Sequence, residues 1–331
     1  MSLPIGIVGL GAYTPERVMT NAEWSRRVET TEEWIRARTG IERRRFAADD
    51  ETTVDLAEQA ARRALADAGL TAADIDEIVV ATDTPEVYIP DTSAFLQHRL
   101  GAREVPAYDL AGSGCAGFLQ ALDVALVRAR TRRGAPRRIL VVAVELLSRL
   151  MNWEDRTTCV LFGDAAGAAV VGPGEGAARC LAATAGTDGS RAGILTLETG
   201  GTRRPFSLEA ARQGLHKDIV MEGRAVFRDA VTRMTAAARA VLDEAGIDLS
   251  EVALVVPHQA NARILASVAQ HLDLPEERLF SNVAEYGNTG SASIPLALCQ
   301  AREQGRIAAG DLVLLTAFGA GFHWGAMLLR F

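Results

Sequence analysis

The sequence predicts an α/β protein made of two related halves, and three observations carry that reading. The first is an internal repeat: LADAGLTAADIDEIVV (65–80) falls on LDEAGIDLSEVALVVP (242–257) without a gap, an offset of 177 residues. Within it Ala68-Gly69-Leu70 lies over Ala245-Gly246-Ile247, and Ile75 over Val252. The second is the shape of each copy: an Ala-rich amphipathic helix, a glycine stop, an acidic turn, then a short β-branched run that suits a strand covered on both faces. The third is an echo late in each half, where FGDAAGAAVVG (162–172) and FGAGFHWGAMLL (318–329) both set Phe-Gly before a small-residue turn and an apolar strand. Helices alternating with apolar strands favour helices packed on a mostly parallel or mixed sheet.

Along the chain, MSLPIGIVGLGAY (1–13) is an apolar run with no basic segment ahead of it, so no secretory leader is expected there. VPAYDLAGSGCAGFLQALDVALVRA (105–129) reads as a short strand, a Gly/Ser turn and a long helix. GPGEGAA (172–178) breaks both periodicities, which sets expected halves of 1–175 and 176–331. Residues 186–217, rich in Gly, Thr, Arg and Ser, read as an irregular insertion of the kind that lines sites. VVPHQANARIL (255–265) passes from a buried strand into a helix. EYGNTGSASIPLAL (285–298) is a turn entering a helix, with Pro295 near its start. LLTAFGAGFHWGAMLL (314–329) puts Gly319, Ala320 and Gly321 just after a strand.

Length and composition narrow the function. A chain of 331 residues, 48% hydrophobic and 23% charged, folds as one large domain or two. A formal net charge of −7 gives no positive field for nucleic acid. No apolar stretch reaches the roughly 18 residues a membrane span needs, so the chain is expected to be cytoplasmic. Cys115, Cys159, Cys180 and Cys299 lie far apart without a CxxC pair, which argues for free thiols rather than a zinc ribbon or disulfide scaffold. His98, His216, His271 and His323 lack metal-ligand spacing, so no metal is expected.

Four features carry chemistry. Cys115 stands at a strand-to-helix turn, where the helix dipole and free N–H groups would lower its pKa and its own N–H could face an oxyanion. His258 follows a buried strand, where α/β folds place sites. Asn288 offers an amide donor in a Gly-rich turn, although turn chemistry alone also explains it. The 319–321 glycine turn lets backbone N–H groups approach a ligand, or is a plain tight turn. A thiol nucleophile, an imidazole, an amide and a glycine loop are together acyl-transfer equipment.

These residues are similar, in order and spacing, to a known family. DLAGSGCAGF around Cys115, PHQANARI around His258, YGNTGSASIP around Asn288 and the terminal FGAGFHWGAM resemble the β-ketoacyl-acyl-carrier-protein synthase III family of thiolase-fold condensing enzymes. TNAEWSRRVETTEEWIRARTGIERRR (20–45) and EDRTTCVLFGDAAGAAV (154–170) resemble its N-terminal and mid-chain blocks. The resemblance implies a five-layer αβαβα fold of two duplicated halves and a homodimer. It also implies that Cys115 takes an acyl group from an acyl-coenzyme A, with no permanently bound cofactor. His258 and Asn288 then bind the carbonyl of malonyl-acyl-carrier-protein and favour its decarboxylation, and the N–H groups of Cys115 and Ala320 form the oxyanion hole. Trp34, Arg38, Arg156 and Asn261 fall where the coenzyme A is held, Ile89 at the acyl-pocket wall, and Arg228 and Arg263 where the acidic carrier protein docks.

The chain departs from the family pattern at the nucleophile, where AGSGC is one residue longer than usual, and at Ile89 and Arg224, which stand for an aromatic and an asparagine. These departures leave room for a secondary-metabolism relative that condenses or transfers longer or unusual acyl chains. A thiol hydrolase would also use Cys, His and Asn, but the nucleophile context is wrong for one.

Overall fold

The computed structural model describes residues 3–131 and 137–331. One sheet has five strands in the order Ile5–Tyr13, Asp164–Pro173, Ile139–Leu146, Glu77–Ala81, Ala107–Leu110. The other has four, in the order Arg179–Thr187, His323–Arg330, Leu312–Gly319, Val252–Pro257. From its first strand, each sheet runs through two antiparallel pairings and then a parallel one. Strand order and direction therefore repeat between the halves, and among the described strands of the two sheets only Ala107–Leu110 has no counterpart.

The repeat reaches down to single hydrogen bonds. Thr53–Asp67 and Gly223–Ala245 both stop at a left-handed glycine, Gly69 at φ +65° and Gly246 at φ +64°. The Leu70 N–H then returns to the Leu65 carbonyl at 2.9 Å, as the Ile247 N–H does to Leu242 at 3.0 Å, the bond that closes a helix end. Each acidic turn that follows is a 3₁₀ turn with a capping box, Thr71 with Asp74 in one half and Asp248 with Glu251 in the other.

Alternation along the strands builds the layers. Ile139, Val141 and Ala143 face one core while Leu140, Val142 and Val144 face another, so this strand is buried on both sides. The first core fills the space between the two sheets around the helices Gly117–Thr131 and Ser293–Glu303. Thr53–Asp67 and Thr92–Leu100 cover the outer face of the five-stranded sheet. Gly223–Ala245 and Ala262–His271 cover the outer face of the four-stranded one. The result is the αβαβα arrangement, with the two central helices serving both halves.

The segment 186–217 is less irregular than its composition implies. Its first two residues end the strand Arg179–Thr187, and Leu195–Thr196 pairs with Val220–Met221. A short helix, Leu208–Arg212, follows. Among the described residues no helix is long and apolar enough to cross a membrane.

Candidate active site

Cys115 lies in a 3₁₀ turn, Gly114–Ala116, that leads directly into the central helix Gly117–Thr131. Two glycines make the surrounding backbone possible. Gly114 sits at φ +53°, and a Cβ on it would stand 2.6 Å from the Ala320 nitrogen. A Cβ on Gly319 would stand 2.5 Å from the Cys115 nitrogen. The nucleophile turn and the 319–321 turn thus touch backbone to backbone, with the Ala320 nitrogen beside Gly114 and the Cys115 nitrogen beside Gly319.

The electrostatics of the thiol differ from expectation. The helix N-terminus was expected to lower its pKa, but burial pushes it up, and the carboxylates of Asp83 and Glu145 push it further. The Cys115 N–H and the Asn288 side chain work the other way and do not prevail; as a thiol, Sγ donates towards the Asn288 Oδ1 at 4.0 Å. At rest Cys115 is a thiol.

His258 follows the strand Val252–Pro257, with its N–H donated to the Thr316 carbonyl at 2.8 Å. The side chain is buried, and burial pushes its pKa down to about 3, so the ring is neutral. Its Nδ1 is 2.7 Å from the Ser293 hydroxyl, which also accepts the Gln259 N–H at 3.4 Å. Where the Ser293 hydroxyl gives its hydrogen to Nδ1, the ring hydrogen sits on Nε2. The free ring nitrogen is then a donor.

Asn288 is oriented in a comparable way. Its Oδ1 accepts the Gly290 N–H at 2.9 Å, which leaves Nδ2 as the group free to donate. Backbone bonds to Leu161 at 2.8 Å and from Gly163 at 2.9 Å tie this turn to the other half.

Cys115, His258, Asn288 and Ala320 line one cleft of about 1170 Å³. Residues 192–201 of the expected insertion form part of its wall. At the mouth, the Trp34 indole lies 5.8 Å from the Arg38 guanidinium and 5.3 Å from that of Arg156. Asn261 is there too, but its amide is already committed. Its oxygen caps the helix Ala262–His271 through the Arg263 N–H at 2.8 Å, and its nitrogen reaches the Arg38 carbonyl at 3.2 Å. Arg263 lies over the Phe227 ring at 5.8 Å, and Arg228 stands exposed with Asp229 3.8 Å away. Ile89 is 88% exposed and does not line the cleft of its own chain. No group of His, Cys, Asp and Glu among the described residues could hold a metal.

Sequence reasoning missed the polar layer behind the nucleophile. Glu145, 1% exposed, accepts the Ser291 hydroxyl at 2.7 Å and the Thr84 hydroxyl at 3.0 Å. Asp83 accepts the Gly112 N–H at 2.9 Å. The available signal was a carboxylate at the end of each of two apolar strands, in EIVVATD (77–83) and ILVVAVE (139–145).

A two-sheet duplicated fold with a thiol at a helix N-terminus defines the class: thiolase-fold acyltransferases that work through an acylated cysteine. Residues 108–189 match the family model of 3-oxoacyl-[acyl-carrier-protein] synthase III, and residues 242–331 match the model of its C-terminal part. The chain is 44% identical over 324 residues to the β-ketoacyl-[acyl-carrier-protein] synthase III of Roseiflexus castenholzii, covering 98% of this chain and 97% of that one. It is 47% identical over 337 residues to the enzyme of the same name from Nitratidesulfovibrio vulgaris, covering 100% of both. The crystal structure of 3-oxoacyl-[acyl-carrier-protein] synthase III from Aquifex aeolicus superposes with a TM-score of 0.90 at 41% identity, over 99% of this chain and 100% of that one. The chain belongs to the 3-oxoacyl-[acyl-carrier-protein] synthase III family.

Proposed function

We propose that this chain is a β-ketoacyl-acyl-carrier-protein synthase III that starts fatty-acid synthesis from an acyl-coenzyme A primer. The observation that carries this reading is the convergence of one thiol, two neutral donors and a backbone N–H pair on a single cleft. Sγ of Cys115, losing its proton, attacks the thioester carbonyl, the N–H groups of Cys115 and Ala320 take the developing oxyanion, and the carbon–sulfur bond to coenzyme A breaks, so that coenzyme A departs as its thiol with that proton. Malonyl-acyl-carrier-protein then enters. His258 Nε2–H and Asn288 Nδ2–H stabilise the enolate formed as CO₂ leaves, and its carbon attacks the acyl-cysteine. Neutral donors suit this step, because a carboxylate substrate must lose CO₂ rather than be held as an ion pair.

Trp34, with a guanidinium on either hand, supports coenzyme A recognition at the mouth, since an adenine can join the stack while the arginines meet phosphate. Asn261 contributes by fixing the Arg38 segment. Val87, Tyr88 and Ile89 form an exposed apolar tip, 43%, 74% and 88% accessible, and Ile89 is assigned to the pocket wall of a second copy in a homodimer. We read residues 1–175 and 176–331 as the duplicated halves and the enzyme as cytoplasmic.

The test is intact-protein mass spectrometry after incubation with a panel of acyl-coenzyme A esters. A mass gain of one short acyl group, followed by its loss to a 3-oxoacyl product on adding malonyl-acyl-carrier-protein, is the expected result. Labelling only by long or branched chains, with no product from malonyl-acyl-carrier-protein, would instead favour the secondary-metabolism reading.

Arg228 and Arg263 are assigned to carrier-protein docking. Reversing both to Glu is expected to raise KM for malonyl-acyl-carrier-protein by roughly 10-fold or more, most strongly at low salt, and to leave acylation by acyl-coenzyme A within about 2-fold. Steady-state kinetics at two ionic strengths check it, and an equal fall in both half-reactions would remove the assignment.

A further inference from the structure

Three carboxyl side chains are fully buried among the described residues: Glu77, Glu145 and Asp164. Glu77 meets Arg128 and Arg137, and Asp164 accepts the N–H groups of Ala47 and Ser148 at 2.9 Å each, both outside the cleft lining. Glu145 is different. It lines the cleft, and among the described residues it makes no ion pair with a lysine or arginine. Burying such a group without a cation costs stability, which hydrogen bonds to it offset only in part. Its contacts show what the position serves.

The partners of Glu145 come from both halves of the chain. From the first, the Asp83 N–H donates to both of its oxygens at 3.2 Å and the Thr84 hydroxyl donates at 3.0 Å. From the second comes Ser291, whose hydroxyl lies 2.7 Å from Glu145 Oε1 and 3.3 Å from the Ala81 carbonyl oxygen, so the shorter contact to Glu145 takes the hydrogen. The residue before it rests on the same side chain: Gly290 sits at φ +56°, and a Cβ on it would stand 2.8 Å from Glu145 Cγ. Gly290 is also the residue whose N–H donates to Asn288 Oδ1 at 2.9 Å and leaves Nδ2 as the free donor. The turn 288–291 is therefore held at two ends. Asn288 is tied by backbone to Leu161 and Gly163, and Gly290 and Ser291 are backed by Glu145.

Resting on the function read above, we propose that Glu145 is a positioning residue for decarboxylation, which fixes the 288–291 turn so that the Asn288 amide keeps its nitrogen free to donate. The carboxyl group holds Ser291 from one side while the stem of the same side chain sets the Gly290 backbone, and Gly290 in turn orients the Asn288 amide. Glu145 acts through Asn288 and takes no part in bond making. Acylation does not depend on it, because among the described residues Glu145 makes no hydrogen bond to the 114–116 or 319–321 turns, which carry the thiol and the backbone N–H groups assigned to that step. A donor displaced by a fraction of an ångström no longer meets the charge that develops on the enolate oxygen, so the cost falls on the second half-reaction.

The experiment measures acylation by acetyl-coenzyme A and CO₂ release from malonyl-acyl-carrier-protein separately, in the wild type, Glu145→Leu, Glu145→Gln and Ser291→Ala. Glu145→Leu is expected to slow CO₂ release about 10²-fold and to leave acylation within about 3-fold. Ser291→Ala removes one contact only and is expected to slow the same step about 10-fold. Glu145→Gln is expected to stay within about 5-fold of the wild type, since its oxygen can still accept from Ser291 while its NH₂ meets the Thr84 hydroxyl, which accepts as well as donates. The decisive readout is Glu145→Leu placed in Asn288→Ala, where the further loss should be less than about 2-fold because the group being positioned is already gone. Full multiplication of the two losses overturns the proposal, as does an equal fall of acylation and CO₂ release in Glu145→Leu and Ser291→Ala. CO₂ release at the wild-type rate in Glu145→Leu overturns this inference alone. A wild-type protein that releases no CO₂ from malonyl-acyl-carrier-protein overturns the function reading and this inference together.

Discussion

Cys115→Ser is expected to form no detectable acyl-enzyme and to lose condensation by at least about 10³-fold. The substitution removes little bulk and adds none, so the backbone meeting of Gly114 with Ala320 and of Gly319 with Cys115 should survive it. What changes is the acidity and nucleophilicity of the attacking atom. The site already disfavours an anion there, since burial, Asp83 and Glu145 all hold the thiol protonated. A serine hydroxyl, which is far less acidic than a thiol, meets the same penalties on becoming an alkoxide. Intact-mass spectra with acyl-coenzyme A and assay of the 3-oxoacyl product check both statements. A serine variant that accumulates an acyl ester and still condenses would show that the thiol is not the group carrying the chain.

The fold was legible in the sequence because its repeat lies in backbone-determining residues. Gly69 and Gly246 both need the left-handed region, and the Thr71/Asp74 and Asp248/Glu251 capping boxes follow at the same distance in each copy. Cys115, His258 and Asn288 were legible for a related reason, since each stands where a strand or turn abruptly changes chemistry. The partners that tune them were not. Ser293 reads as an ordinary helix-start serine until the structure sets it against His258, 35 residues away. Asp83 and Glu145 are 62 residues apart and meet only because the strands Glu77–Ala81 and Ile139–Leu146 are neighbours in the sheet. The thiol's acidity was misread for the same reason. A helix N-terminus is visible in sequence, while two carboxylates folded beneath it are not.

His258→Ala is expected to separate the two half-reactions. The variant should still gain the acyl mass on Cys115, because the oxyanion hole for that step is backbone. Decarboxylation of malonyl-acyl-carrier-protein should fall by about 10²–10³-fold, the usual cost of removing one donor from a developing oxyanion. Asn288→Ala should behave alike, and the double variant should lose less than the product of the two, since both donors serve one oxygen. Burial holds His258 at a pKa of about 3, so its donor stays neutral and the decarboxylation step gains no acidic limb from this residue in the neutral range. The same shift predicts a stability effect of definite sign. The unfolded chain binds a proton on this ring below the ordinary value of 6.5, and the folded chain does not until about 3. The wild type therefore loses stability as pH falls through that window, and His258→Ala should lose less over the same range. Chemical denaturation at matched pH values measures the difference. Equal loss of acylation and decarboxylation in His258→Ala would instead assign the histidine to the first step and leave Asn288 alone at the second.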